Sequence, residues 1–378
     1  MSVVIKEVKN RRDLRRFVLF PEKLYKDNKY YVPPIVFNEM DTLDPKSNPA
    51  SSFSDSALYL AYKDGEIVGR VAAIVNRLAN EQWQHNEVRF GWYDFIDDRE
   101  VSAALMEKVY EFGRAHKMDS VVGPLGFTDF DPEGMLVEGY ESLSTMALIY
   151  NHPYYKDHVE AMGFRKDVDW IEFKITIPEQ LPDKFTRVSQ MLMERSHYKI
   201  KHLTRSIIKK EGYAEKIFKI INETYKDLYN FTVLPQDLAD KYVGFYLNLV
   251  DMRYISVIEN EAGELVAFGI AMPSLARVLQ KNRGKLFPFG WFPLVKSLFF
   301  KHDDGAELLL VGVKPEFRNS GVNSLIFADV YKNLNSLGVK WAETNAILET
   351  NTKNQSQFTL FEHEQKKRRR SYIKELEY

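Results

Sequence analysis

The residues whose types and spacing point to chemistry stand in ELLLVGVKPEFRNSGVNSLIFADVYKNL, from Glu307 onward. An apolar run reaches Val313. A short loop follows with Pro315, Arg318 and Gly321, and a helical pattern opens near Val322. A buried strand, a glycine-containing loop and a helix N-terminus together aim unpaired backbone N–H groups at one point. The helix dipole adds positive potential there. Such a corner cradles a pyrophosphate. Gly321 lets the backbone approach phosphate oxygens that a Cβ would obstruct, and Arg318 can add a charge-assisted contact. An ordinary strand-to-helix connection containing a glycine fits the same pattern, so the loop alone leaves both readings open.

Composition removes other chemistries. The chain of 378 residues has no cysteine, which excludes disulfides, thiolate nucleophiles, zinc fingers and iron–sulfur clusters. Neither near pair of histidines, His152/His158 or His197/His202, has metal-ligand spacing, so no metal is expected. A net charge of −1 gives no bulk field toward DNA. The opening residues lack the apolar region of a signal peptide, and no stretch approaches the ~18 apolar residues of a membrane span. A soluble, cytoplasmic protein is expected.

The elements that must position the loop are legible by pattern. Asp64-Gly65 is a two-residue turn between β-rich runs. VRFGWYDFI (88–96) reads as a strand. Val101, Ala104, Leu105, Val109 and Phe112 then recur at helical spacing. The second half repeats this order. GEIVGRVAAI has a counterpart in GELVAFGIAM, and VRFGWYDFI in ELLLVGVKP. The helix with Val109-Tyr110 has one in the helix with Val330-Tyr331, whose stripe includes Val322, Leu325, Ile326, Leu334 and Leu337. A repeat of this size implies a duplicated domain. The expected division is 1–178, a proline-containing linker at 179–200, and 201–378.

Arg318-Asn319-Ser320-Gly321-Val322-Asn323 resembles the Arg/Gln-x-x-Gly-x-Gly/Ala signature of the GNAT acyltransferase superfamily, with Asn323 departing from the usual small residue. VKWAETNAIL (339–348) is similar to its fifth strand, TNTKNQSQFTLFEHEQ to the short helix after it, and RRRSYIKEL to its closing strand. Asn151, Tyr155, Gly163 and Phe164 match a related segment in the first half. The chain thus resembles a tandem GNAT protein, over about 57–175 and 200–378. The implied fold is α/β: two GNAT-like domains, each a mixed, mostly antiparallel sheet flanked by helices.

The resemblance implies an acyl-CoA-dependent N-acyltransferase acting by direct attack, with acetyl-CoA or a longer acyl-CoA as cosubstrate and a small-molecule or peptide amine as acceptor. Coenzyme contacts would come from Val311, Val313, Arg318, Asn319, Ser320, Gly321, Val322 and Asn323, with the Val313 amide as oxyanion donor. The base would be Glu343 or Glu349, with Asn345 on the Glu343 face polarising a carbonyl. The short helix carries Phe358 and Phe361 where a tyrosine acid is usual, leaving Tyr372 or Tyr331 as substitutes. In the first half, Asp97-Asp98-Arg99-Glu100 replaces the glycine loop, and its carboxylates would repel a pyrophosphate. Tyr155 would then line an acceptor pocket. A Fem-type aminoacyltransferase using aminoacyl-tRNA and a catalytically silent binding protein are the alternatives.

Two further segments stand out. GKLFPFGWFPLVKSLFF (284–300), with Trp291 as a possible substrate contact, reads as a hydrophobic flap packed on the domain, a lid, or a lipid-facing edge. Lys366 to Arg370, five adjacent cations, read as a solvated turn or a contact for phosphate.

Overall fold

The computed structural model describes residues 2–181, 183–300 and 303–378. The first half contains β1 (Val4–Glu7), α1 (Arg11–Leu24), α2 (Val36–Leu43), β2 (Ser54–Lys63), β3 (Glu66–Asn76), α3 (Arg77–Trp83) and β4 (Glu87–Phe95). It continues with α4 (Arg99–Ala115), β5 (Ser120–Gly123), β6 (Met135–Glu138), α5 (Tyr154–Ala161) and β7 (Arg165–Thr176). The second half runs α6 (Asp183–Ser196), β8 (Lys199–Ile200), α7 (Arg205–Glu211), α8 (Tyr213–Tyr225), α9 (Gln236–Leu249), β9 (Ile255–Glu259) and β10 (Leu265–Pro273). Then come α10 (Ala276–Asn282), α11 (Trp291–Phe299), β11 (Gly305–Val313), α12 (Val322–Ser336), β12 (Trp341–Thr344), β13 (Ile347–Leu348), α13 (Thr352–Gln355) and β14 (His363–Glu375).

The strands form one mixed, mostly antiparallel sheet in the order β1-β2-β3-β4-β5-β14-β7-β12-β11-β10-β9-β8. The duplicated order β4-α4-β5 and β11-α12-β12 supplies its two parallel pairs. The closing strands are exchanged between the halves. β14, from the second half, pairs with β5 (Tyr372↔Gly123), and β7, from the first, pairs with β12 (Ala342↔Ile175). The boundary expected at 178 therefore divides the chain without dividing the sheet. The core follows the exchange: Ile171, Phe173 and Ile175 of β7 are buried in the second-half cluster, and Tyr372 in the first-half cluster. Each such apolar side chain contributes roughly 1.5–3 kcal/mol on burial.

The seam carries a row of buried charges. Lys367 and Arg369 of β14 reach Glu172 of β7, and Lys367 also binds Glu343 of β12. These cations lie inside a strand, in place of the solvated turn their density predicts. Strand alternation turns both to one face, where carboxylates on two neighbouring strands neutralise them. Glu307 of β11 extends the row. Burial and the nearby Glu343 raise its carboxyl to about 8.

The segment expected as a linker is also structural. Phe185 and Leu192 of α6 are buried in the second-half core, and Ser189 Oγ donates to the Ser324 carbonyl of α12 at 3.2 Å.

Candidate active site

β11 and β12 pair in parallel only from Gly305↔Trp341 to Leu308↔Thr344. Asn345 then marks the divergence: its amide donates to the Leu308 carbonyl at 2.9 Å and its Nδ2 to the Leu309 carbonyl at 3.4 Å. Beyond it the chain leaves for β13, which pairs with β7. A cavity of about 770 Å³ opens where the strands part. Ile217, Ile221, Leu308, Leu310, Ile326, Phe327, Ile347 and Phe358 give it largely apolar walls, from α8, β11, α12, β13 and the turn after α13.

One end of the cavity meets the loop before α12. Val311, Val313, Arg318, Asn319, Gly321, Val322 and Asn323 all line it, while Ser320 does not. Gly321 is the helix N-cap at φ +87°, with no capping side chain. Ser320 Oγ accepts from the Val322 amide at 3.3 Å, and the Arg318 amide bonds Pro315. The amides of Asn319, Gly321 and Asn323 find no acceptor among the described residues. Lys353 of α13 donates to Asn319 Oδ1 at 2.9 Å, and Arg318 folds toward the Thr224 carbonyl at 3.4 Å. Three open amides, two cations and the positive end of a 15-residue helix fit an anionic group such as a diphosphate.

Val311 differs from expectation. Tyr225 of α8 donates to its carbonyl at 2.9 Å and accepts from its amide at 3.3 Å, so both backbone groups are already spent. Alternation along β11 turns the Val313 amide to the same side, where no side chain among the described residues bonds it. Burial lifts the Tyr225 hydroxyl to about 12. A second cavity tyrosine, Tyr331, stacks on Phe361 at 4.2 Å with its buried hydroxyl unpartnered.

Three carboxylates from the first half also line the cavity: Asp129, Asp131 and Glu133, in the loop between β5 and β6. Asp129 accepts from the Thr232 amide at 2.9 Å and Asp131 from the Thr128 amide at 3.1 Å, while Glu133 has no hydrogen-bond partner among the described residues. Buried Arg89 ties this loop to the second half through the carbonyls of Gly126 (3.1 Å) and Asn230 (3.3 Å). Burial raises Asp129 to about 6, against the pull of Arg89, and raises Asp131 to about 7. Glu133 is pushed well above the carboxylate range by burial and by Asp129. Burial thus holds both carboxyls above the usual carboxylate range, an environment suited to acid–base work.

Sequence reasoning passed over these three residues. Their signal was the alternation of carboxylates in Thr128-Asp129-Phe130-Asp131-Pro132-Glu133-Gly134. The residues it favoured lie elsewhere. Glu343 is on the face away from the cavity, neutralised by Lys367, and so is not free to act as a base. Asn345 does not share that face, since β12 ends at Thr344; it lines the cavity with its side chain engaged at the strand divergence. Glu349 is bound by Lys166 and by Arg368, outside the cavity. Tyr372 is buried in the first-half core, donating to Glu160 at 3.1 Å. Tyr155 lies in the same core, against Tyr25 Oη (2.9 Å) and the Phe95 amide (3.0 Å), and does not line this cavity. Trp291 is on the outer surface.

Comparison with known proteins agrees with this architecture. A tandem GNAT protein from the clavulanic acid biosynthesis pathway superposes with a TM-score of 0.60 at 14% identity, over 100% of this chain and 99% of that one. The chain has the tandem GNAT fold. The GCN5-related glucosamine N-acetyltransferase region of a fungal multi-domain β-N-acetylglucosaminidase gives a TM-score of 0.57 at 13% identity, over 99% of this chain and 38% of that one. No family model matches. Among curated proteins, Protein YghO of Escherichia coli is 26% identical over 383 residues, covering 97% of this chain and 94% of its own length. The bacterial ceramide synthase of Caulobacter vibrioides is 26% identical over 319 residues, covering 83% and 81%. The parted strands of the second half are where this chain keeps a cleft.

Proposed function

We propose that the protein is an acyl-CoA-dependent N-acyltransferase that joins a long apolar acyl group to the amine of an apolar acceptor. One observation carries this reading: a single large, mostly apolar cavity takes in both open amides at the 318–323 loop and buried carboxylates contributed by the other half. The loop amides, Lys353 and Arg318 hold the coenzyme phosphates. Asp129 takes the proton of the acceptor ammonium, and the freed amine attacks the thioester carbonyl carbon. The Val313 amide donates to the oxyanion that forms. As the C–S bond breaks, the Tyr225 hydroxyl gives its proton to the departing thiolate and is reprotonated by the proton that the attacking nitrogen loses on becoming the amide.

The relative named bacterial ceramide synthase supports long-chain amino alcohols as the first acceptors to assay. Carboxylates lining the cavity oppose a tRNA substrate. Thermal shift with acetyl-, octanoyl- and palmitoyl-CoA tests the reading, alongside thiol release in the presence of sphinganine. Palmitoyl-CoA is expected to stabilise most, and sphinganine to trigger release. No shift with any acyl-CoA would leave a silent binding protein as the better account.

A further inference from the structure

Residues 276–300 form a surface that neither the core nor the cavity explains. Leu294 and Leu298 of α11 pack inward on Met272, Leu275 and Leu279. The opposite side of the same segment is also apolar: Phe287, Phe289, Trp291, Phe292 and Phe300 are exposed, Phe289 by 79%. A helix that buries one face normally turns charge to solvent on the other. The Val36 amide donates to the Gly284 carbonyl at 3.0 Å, bringing the first turn of α2, with exposed Phe37, to the same edge. Among the described residues these six are all the exposed phenylalanines and tryptophans of the chain.

The charge within the segment is of one sign, although Asp303 beside it pairs with Arg277 and Glu22 with Arg283 and Lys285. Arg277, Lys281, Arg283, Lys285 and Lys296 fall within 276–300, and no carboxylate does. Lys281 and Lys296 are exposed and form no ion pair among the described residues. Aromatic side chains flanked by cations suit the headgroup layer of an anionic bilayer, where rings enter the acyl boundary and ammonium groups meet lipid phosphates. Among the described residues no helix is long and apolar enough to cross a membrane, so the contact is peripheral. Leu309 packs against the cluster beneath α11 and also lines the cavity, so this face backs directly onto the cleft.

We infer that the α10–α11 segment docks the protein onto the surface of an anionic lipid bilayer. The whole protein is floated with vesicles of phosphatidylcholine alone and of phosphatidylcholine with phosphatidylglycerol. It should rise with the anionic vesicles, and less so as salt increases. The variant Phe289→Ser/Trp291→Ser/Phe292→Ser should bind them at least about tenfold more weakly, at an unchanged melting temperature. Lys281→Glu/Lys296→Glu, which leaves the aromatics intact, should lose the preference for phosphatidylglycerol. Absence of flotation with either vesicle, or wild-type binding by a folded aromatic variant, would overturn the inference. So would light scattering that shows a wild-type dimer and a monomeric aromatic variant, since the patch would then belong to a second copy.

Discussion

At the end of β4 the Phe95 amide donates to Tyr155 Oη at 3.0 Å and the Phe95 carbonyl accepts from Tyr154 at 2.6 Å. At the matching end of β11, no side chain among the described residues bonds Val313. The following loops diverge in the same direction. Asp98 caps α4, taking the Glu100 amide at 2.9 Å and the Lys63 ammonium at 2.6 Å, while Asp97 is held by His158 at 2.9 Å. The loop before α12 has a glycine cap and leaves three amides open. A carboxylate cap saturates a helix start from within, and a glycine leaves it to a ligand. Within one repeated architecture, a cap residue and a tyrosine are enough to close one corner while the other stays open.

Substitutions at these places break or sharpen the contrast. The largest effect is expected for Asp129→Asn, which should lower kcat by ~10²–10⁴-fold while leaving the acyl-CoA thermal shift in place. In the parent protein, kcat/KM should fall as pH drops through about 6, because the base must be ionised and burial holds its pKa up there. A flat profile across that range would remove Asp129 from the role. Lys367→Met strands Glu343 in the seam and leaves Glu172 to Arg369 alone, and should cost about 3–5 kcal/mol in urea unfolding. Gly321→Glu places a Cβ at φ +87° and a negative charge at the open corner. It should abolish the ~2.7 kcal/mol of stabilisation expected at 100 times the dissociation constant of palmitoyl-CoA. The smallest effect is for Asp98→Ala: a cap loss of ~0.5–2 kcal/mol, with no second equivalent of acyl-CoA bound in calorimetry. A second equivalent would show that the cap alone closes the first corner.

The sequence made the duplication, the β11 loop and the apolar stripe of α12 legible because each depends on residues close together along the chain. The strand exchange was not legible, since β7 and β14 carry similar alternation and would fit either neighbour. Glu343 illustrates the cost. A mid-strand carboxylate reads as solvent- or site-facing, yet its partner Lys367 belongs to a run that itself reads as a turn. Each makes sense only once β14 and β12 flank β7. Asp129 and Glu133 were hidden for the same reason: nothing local links the loop after β5 to a cleft between β11 and β12.

The exchange of closing strands bears on why a half with a closed corner persists. A chain reduced to 201–378 would keep its open corner yet lack β7, the strand that borders β12 and roofs the second core with Ile171, Phe173 and Ile175. The half whose corner is closed is a mechanical part of the half whose corner stays open, and neither can be discarded without unclasping the other.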